Sequence, residues 1–126
     1  MKNNKLLQYK KNFDRSLINV LKIRLRAAKT RAIEKNLEFN IDLEYLLELY
    51  YKQKGLCFHT GSLLSLLSNK FYTISIDRLN NNLGYIKGNV VLTYVYFNKK
   101  KGKEHTKDYI ENHRKIIFNY DNFHIF

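Results

Sequence analysis

Two short segments rich in β-branched and aromatic residues, separated by a loop of asparagines and glycines, place the tightest limit on the fold. Residues 71–76 (FYTISI) and residues 89–93 (NVVLT) both have the composition of β-strands. The intervening residues RLNNNLGYIKG contain three asparagines and two glycines, which suit turn conformations. We therefore predict a hairpin of two strands, followed by a helix over residues 94–101 on which the hairpin folds back.

Two helices are predicted upstream of this hairpin. In the first, apolar residues recur every three or four positions and define one stripe, with Asp14 as the N-cap and an end near Asn36. The members of that stripe are Leu17, Leu21, Leu25, Ala28 and Ala32. Residues 37–41 are predicted to be extended. A second helix should begin at the N-cap Asp42, bury one face and stop at Gly55.

These elements predict one α+β domain over residues 1–126, with a strand–strand–helix centre flanked by N-terminal and C-terminal helices. We expect a flexible basic arm at 1–12, a helical part at 14–54, the centre at 55–102, and a C-terminal helix and tail at 103–126. The last helix should start at Thr106.

The distribution of charge predicts a partner with a phosphate backbone. Net charge is +12; residues 1–36 carry 11 Lys and Arg side chains against two acidic ones, and residues 67–101 carry six against one. Such clustering is typical of nucleic-acid binding. The alternative is that the lysines reflect solubility and the codon bias of an AT-rich genome.

Other features of the composition bear on the compartment. There is no apolar run of about 18 residues, so we expect no membrane-spanning segment and no membrane partner. A single cysteine, Cys57, favours a reducing compartment, and we interpret it as a small buried apolar residue rather than a zinc ligand. We expect an intracellular location: the cytoplasm of a bacterium or phage host, or an organelle with an AT-rich genome.

Asp77 and Asn98 are the candidate metal ligands. Asp77 ends the first predicted strand and Asn98 lies in the following helix, so that a hairpin folded back on the helix can bring both side chains together. A carboxylate oxygen and an amide carbonyl oxygen suit Mg²⁺, which keeps several positions for water and phosphate. Magnesium, with manganese as a substitute, is therefore the predicted cofactor.

The residues 55–61 (GLCFHTG) and 75–102 (SIDRLNNNLGYIKGNVVLTYVYFNKKKG) together resemble the HNH, or ββα-metal, endonucleases. They are most similar to the phage-type branch, which has a Cys-x-x-Thr-Gly turn, a Ser-x-Asp-Arg strand end, a Gly-Tyr…Gly-Asn-Val loop exit and an Asn-x-x-Lys helix. With the similar residues upstream, the resemblance covers roughly residues 20–102. It implies that Asp77 and Asn98 bind the metal, and that Asn89 braces the loop shaped by Gly84, Tyr85 and Gly88.

The chain departs from that family directly after the metal-binding aspartate. Most members have a histidine there that activates the attacking water, whereas this chain has Arg78. Arginine stays protonated at neutral pH, so Arg78 is predicted to grip the scissile phosphate and stabilise transition-state charge. The candidate base is His59, which we expect on a strand that enters the site, because histidine titrates near neutral pH. The alternative is a partly buried histidine packed between Phe58 and Thr60.

The remaining candidates are basic side chains that we expect to contact nucleic-acid phosphates, namely Arg24, Arg26, Lys29, Arg31, Lys87, Lys99, Lys100 and Lys101. The alternative for the last three is a solvated helix end favoured by the helix dipole. His105 is a weaker candidate for a phosphate contact, and His113 and His124 are not expected to be ligands.

The resemblance and the charge favour a metal-dependent endonuclease that hydrolyses DNA, of a phage or mobile-element (homing) type. The alternatives are an HNH frame without catalysis that binds nucleic acid, for example RNA in a ribonucleoprotein such as an organelle ribosome, and a purely structural subunit. DNA is the expected partner, with RNA as the alternative. A double-strand break made by one such site requires a dimer or two successive cuts.

Overall fold

The computed structural model describes residues 2–68, 70–97, 111, 114 and 115, with side-chain exposure from residue 4 onward. Its named elements follow the chain as α1 (Lys2–Glu34), α2 (Leu43–Lys52), β1 (Ile74–Arg78) and β2 (Val90–Tyr94). The protein is therefore a mixed α+β structure with one two-stranded antiparallel sheet. Residues 95–97, directly after β2, are helical. Residues 111, 114 and 115 are helical as well.

Helix α1 begins 12 residues earlier than its predicted N-cap. It runs without interruption for 33 residues from Lys2, so Asp14 lies inside the helix and the arm predicted at 1–12 is helical from Lys2 onward. The physical reason is that residues 2–13 contain no Gly or Pro, and seven of these twelve residues are Lys, Leu or Gln, which favour the helix. The predicted cap at Asp14 is therefore wrong, whereas the flexibility of the arm stays a prediction.

The C-terminal end of α1 lies where the sequence predicts it. Asn36 has a positive φ of 53°, its N–H donates to the carbonyl of Ile33, and the N–H of Leu37 donates to the carbonyl of Ala32. This pair of bonds closes the last turn, and asparagine is one of the few residues besides glycine that adopt the left-handed conformation readily. The predicted apolar stripe is also confirmed: Leu17, Leu21, Ala28 and Ala32 are buried, and Leu25 packs against them.

Helix α2 has the predicted N-cap, since the Asp42 carboxylate accepts a bond of 2.8 Å from the backbone N–H of Tyr45. Leu46 and Tyr50 form its buried side. The C-terminal stop differs in detail from the prediction. Lys54, with φ of 57°, takes the left-handed position and bonds to Tyr51, and Gly55 follows it with φ of 72° and bonds to Tyr50.

The two predicted strands exist, each shifted toward the C-terminus. The sheet pairs Ile74 with Tyr94 and Arg78 with Val90, whereas Phe71 and Tyr72 lie in a turn. That turn is held by Thr73, whose hydroxyl accepts from the N–H of Lys70. Residues 74–77 of β1 and all of β2 are buried, because α1 packs against β1 and α2 packs against β2.

The loop between the strands packs on the extended segment predicted at residues 37–41. The N–H of Tyr85 donates to the carbonyl of Glu38 at 2.9 Å, and the N–H of Asn40 donates to the carbonyl of Tyr85 at 3.1 Å. Gly84 allows this approach, because a Cβ there would lie 2.0 Å from the Glu38 carbonyl oxygen. Gly84 therefore lies where the loop and this segment come closest.

The buried apolar side chains of α1, α2 and the sheet form one core cluster. Within the described residues, no helix combines the length and the apolar character needed to cross a membrane.

We expect Gly84→Ala to lower the free energy of unfolding by about 3 kcal/mol, the upper end of the cost of forcing a methyl group into a packed site. Gly61→Ala is the matched control: it has open space around its Cβ position but a φ of 75°, so that only backbone strain of about 1–2 kcal/mol applies. Urea unfolding of both variants measures the difference. Equal losses would show that the loop does not depend on the close approach to Glu38.

Candidate active site

His59 and Asp77 form a buried pair at the centre of the candidate site. Nε2 of His59 lies 3.1 Å from Oδ2 of Asp77, and their side chains are 8% and 4% exposed. Asp77 is the penultimate residue of β1, and His59 lies in a turn 18 residues earlier. The sequence placed each residue in the site separately, and the structure brings them into direct contact.

The turn that holds His59 is fixed to the sheet at several points. Gly61 closes it by donating to the carbonyl of Cys57 at 2.9 Å, and the N–H of Phe58 donates to the carbonyl of Leu92 in β2 at 3.0 Å. The Cys57 thiol is buried and lies 3.2 Å from the hydroxyl of Thr93. His59 thus lies in a turn rather than on the predicted strand, and Cys57 is the buried packing residue that was expected.

Aromatic contacts set the plane of the imidazole. The ring of His59 stacks on Phe97 with centroids 4.8 Å apart, and the ring of Phe58 meets it edge-on at 5.2 Å. Phe97 is fully buried in the helical turn that follows β2. The imidazole can therefore rotate little. The alternative of a packed histidine fits these ring contacts, but His59 also contacts Asp77.

Arg78 follows Asp77 and is held by the loop that it precedes. Its Nη1 donates to the carbonyls of Asn81 and Leu83 at 2.9 and 3.0 Å, and its guanidinium carbon lies 5.2 Å from the ring centroid of Tyr85. Both acceptors are neutral, so the positive charge of Arg78 is oriented without being cancelled.

Tyr85 joins this loop to helix α1. Its hydroxyl accepts a bond of 3.0 Å from Nε of Arg31, whose guanidinium carbon lies 5.7 Å from the ring centroid. Tyr85 is only 5% exposed. A single buried ring therefore positions two arginines from distant parts of the chain.

A concave pocket of about 240 Å³ lies where these groups meet, lined by Arg31, Lys35, Ile76, Asp77, Arg78, Asn81 and Tyr85. Three of its lining residues are cationic and one is a carboxylate. Among the described residues, the His59–Asp77 contact is the only one between a basic and an acidic side chain, so no carboxylate pairs directly with the three cations. The pocket is therefore suited to an anion such as a phosphate.

Arg24 is used by the fold itself. Its Nε donates to the carbonyl of Ile74 at 2.9 Å, which ties α1 to β1. Burial lowers the pKa of Arg24 from its ordinary value, and the nearby positive charge of Arg31 lowers it further. Its predicted contact with phosphate remains a prediction.

The four basic residues predicted on α1 do not share one face. At about 100° per residue, Arg26 lies roughly 200° around the helix from Arg24, whereas Arg31 lies close to Arg24. Arg26 and Lys29 are exposed, while Arg24 and Arg31 are partly buried against the sheet. These four residues therefore cannot form one basic face, because positions that are close in sequence point in opposite directions from the helix axis.

Asn89 braces the loop as the resemblance implies. Its side-chain amide donates to the carbonyls of Asn80 and Gly84 at 3.1 and 2.8 Å, and its oxygen accepts from the N–H of Asn80 at 2.9 Å. Gly88 has the positive φ of 90° that lets the chain enter β2. Lys87 is exposed, and its backbone N–H bonds to the side chain of Asn40.

Several predicted residues lie outside the described residues. They are the ligand candidate Asn98, the cations Lys99, Lys100 and Lys101, and the histidines His105, His113 and His124. Most of the helix predicted from Thr106 lies outside them as well.

The described donors fit a cation that takes few protein ligands. The part of the chain that the structure describes contains no cluster of three or more His, Cys, Asp and Glu side chains able to hold a metal. It does place the hard oxygen donors of Asp77 beside an open, polar pocket. Magnesium is commonly bound through one or two carboxylates together with water and substrate phosphates, so the donor set is compatible with it.

Sequence reasoning missed two members of this site. Lys35 lies four residues after Arg31, and this spacing places both side chains on one face of α1. Phe97, the residue that stacks on His59, has no distinctive signal in the sequence.

Comparisons of this chain with family models, with curated proteins and with solved structures give no match.

We expect Asn89→Ala to lower the free energy of unfolding by about 2–4 kcal/mol, since three hydrogen bonds at a buried position are lost. Asn40→Ala is the control: it removes the same side chain from an exposed position with a single bond to Lys87, and should cost about 1 kcal/mol or less. Urea unfolding compares the two variants. A loss no greater for Asn89→Ala than for Asn40→Ala would contradict the bracing role.

Proposed function

We propose that this protein is a metal-dependent endonuclease of the HNH type, which hydrolyses phosphodiester bonds in DNA. The observation that carries the proposal is that Asp77 is shared between two arrangements. It contacts His59 at 3.1 Å, and it lines the pocket that also contains Arg31, Lys35 and Arg78. His59 does not line the pocket itself, so Asp77 is the residue that joins the histidine to the cationic cleft. A carboxylate, a nearby histidine and cations without carboxylate partners are groups that can serve phosphodiester hydrolysis.

In this proposal Asp77 and Asn98 hold a magnesium ion. A carboxylate has two oxygens and about four acceptor positions, so Asp77 can bind a cation and accept a bond from His59 at the same time. The ion would stabilise the charge that develops on the phosphate and on the departing oxygen.

His59 is the proposed general base. If its Nε2–H donates to Asp77, the lone pair of the neutral imidazole is on Nδ1, and this atom accepts the proton of the attacking water. The stacking on Phe97 and the bond to Asp77 hold the ring in one orientation, which lowers the entropic cost of proton transfer.

Arg78 and Arg31 are the proposed phosphate-binding residues. The bonds from Arg78 to two loop carbonyls leave other N–H groups of its fork for a phosphate oxygen, and Tyr85 holds Arg31 beside it. Both side chains are oriented before substrate binds, so that less conformational entropy is lost on binding.

A nucleic-acid-binding protein without turnover is the second candidate. The observation that favours it is the cationic pocket, since its charge suits backbone binding with or without hydrolysis. RNA in a ribonucleoprotein is the corresponding partner.

We expect the protein to nick supercoiled plasmid in the presence of Mg²⁺ or Mn²⁺, and Asp77→Asn and Asn98→Ala to abolish nicking while leaving salt-dependent DNA binding largely intact. Asp42→Asn is the matched control for Asp77→Asn, because asparagine caps a helix about as well as aspartate. Gel electrophoresis measures nicking, and binding in EDTA is measured separately. Purified protein that binds nucleic acid but cuts with no divalent metal would overturn the enzymatic proposal in favour of the second candidate.

We expect His59→Ala to reduce the cleavage rate by a factor of about 10²–10⁴, the usual contribution of a general base. His124→Ala is the control with the same change of residue type. Single-turnover rates across neutral pH provide the measurement, and a His59→Ala profile equal to that of the unchanged protein would remove His59 from the mechanism.

A further inference from the structure

The outer face of α1 carries a continuous row of cations that takes no part in the site. The row, called the outer stripe below, consists of Lys11, Arg15, Lys22, Arg26 and Lys29. Their spacings of 4, 7, 4 and 3 residues keep them within an arc of about 60° at roughly 100° per residue. All five side chains are exposed.

The outer stripe faces away from the pocket. By the same helical geometry it lies roughly 160° around α1 from the mean direction of Arg24, Arg31 and Lys35. Arg24 and Arg31 face the sheet and its loop, as the bonds from Arg24 to Ile74 and from Arg31 to Tyr85 show, and Lys35 lines the pocket. One straight run of phosphates that enters the pocket therefore cannot also lie along the outer stripe.

No ion pair within the fold explains this row of charges. Within the described residues, none of the five forms an ion pair with Asp or Glu. Like charges three or four residues apart, such as Lys22 and Arg26 or Arg26 and Lys29, repel each other and destabilise a helix slightly. The stripe extends over 18 residues, or about 27 Å at 1.5 Å per residue, which matches about eight base pairs of a duplex at 3.4 Å per step.

We propose that the outer stripe is a second binding surface for double-stranded DNA, which holds a segment other than the one bound at the pocket. The inference rests on the proposed function in one respect, which is that the pocket binds DNA. That the outer stripe binds DNA is argued from charge complementarity. Each chain then has two separate contacts with phosphate backbone, on opposite sides of α1.

The test is the number of short duplexes that each chain binds, measured in EDTA by analytical ultracentrifugation. Duplexes of about 12 base pairs are longer than the stripe but far shorter than the persistence length of DNA of about 150 base pairs, so each is straight and cannot bend around α1 to contact both sides. We expect two duplexes per unchanged chain, and one for Arg26→Gln/Lys29→Gln and for the pocket variant Arg31→Gln/Lys35→Gln. Glutamine is a good helix former, so the stripe substitutions should leave α1 intact, and circular dichroism checks this.

The control for total charge is Lys52→Gln/Lys70→Gln, which removes two exposed cations elsewhere and should leave the stoichiometry at two. The salt dependence of binding gives a second readout. Each lost phosphate contact should lower the slope of log K against log salt by about 0.9, so the stripe variant should lose up to about 1.8.

One duplex per unchanged chain, or unchanged stoichiometry and slope in Arg26→Gln/Lys29→Gln, would overturn the inference. Single-stranded RNA of the same length, bound at the stripe in preference to the duplex, would overturn it in favour of a different partner. Because none of these measurements requires cleavage, a protein that binds two duplexes and cuts neither would retain the outer stripe and lose the proposed nuclease activity.

Discussion

The buried side-chain amide of Asn89 holds the loop on which the rest of the site depends. Its two donors and one acceptor are bonded to the backbone at Asn80 and Gly84, so the loop is closed from within. The Asn81 and Leu83 carbonyls that orient Arg78 belong to this loop, and Tyr85, which orients Arg31, follows directly after Gly84. A buried polar group that is fully bonded in this way specifies one conformation more strongly than apolar packing does, because any alternative leaves its donors unsatisfied.

Several positive charges lie close together around the pocket. Arg24 is partly buried near Arg31, and both effects lower its pKa. Lys35 and Arg78 add positive charge to the same region, against the single carboxylate of Asp77 in the pocket lining. An anion bound in the pocket would relieve this repulsion, so part of the binding free energy is stored in the folded chain. Such local conflict between stability and electrostatics is typical of a functional site.

Much of the fold was predictable because its signals are local. The Asp42 cap, the turn at Asn36 and the apolar stripe of α1 each depend on residues within a few positions of one another. The extension of α1 to Lys2 was not predicted, since an aspartate that can cap a helix can equally lie inside one. For the site, the sequence indicated Asp77, Arg78 and His59 as separate candidates. The stacking of His59 on Phe97 and the link from Arg31 to Tyr85 join residues far apart in the sequence, and no local pattern encodes such contacts.

The position of His59 changes what Arg78 can contribute. In the family that the sequence resembles, the base follows the metal-binding aspartate on the same strand, so base and metal are positioned by one element. Here the histidine comes from the turn at residues 58–60, which the Phe58–Leu92 hydrogen bond fixes to the opposite strand. The strand position after Asp77 is occupied by Arg78 instead. Carbonyl groups of the loop that Asn89 braces hold its guanidinium group beside the pocket. The proposed base and the proposed phosphate-binding group are thus held by two different parts of the fold, which meet at Asp77.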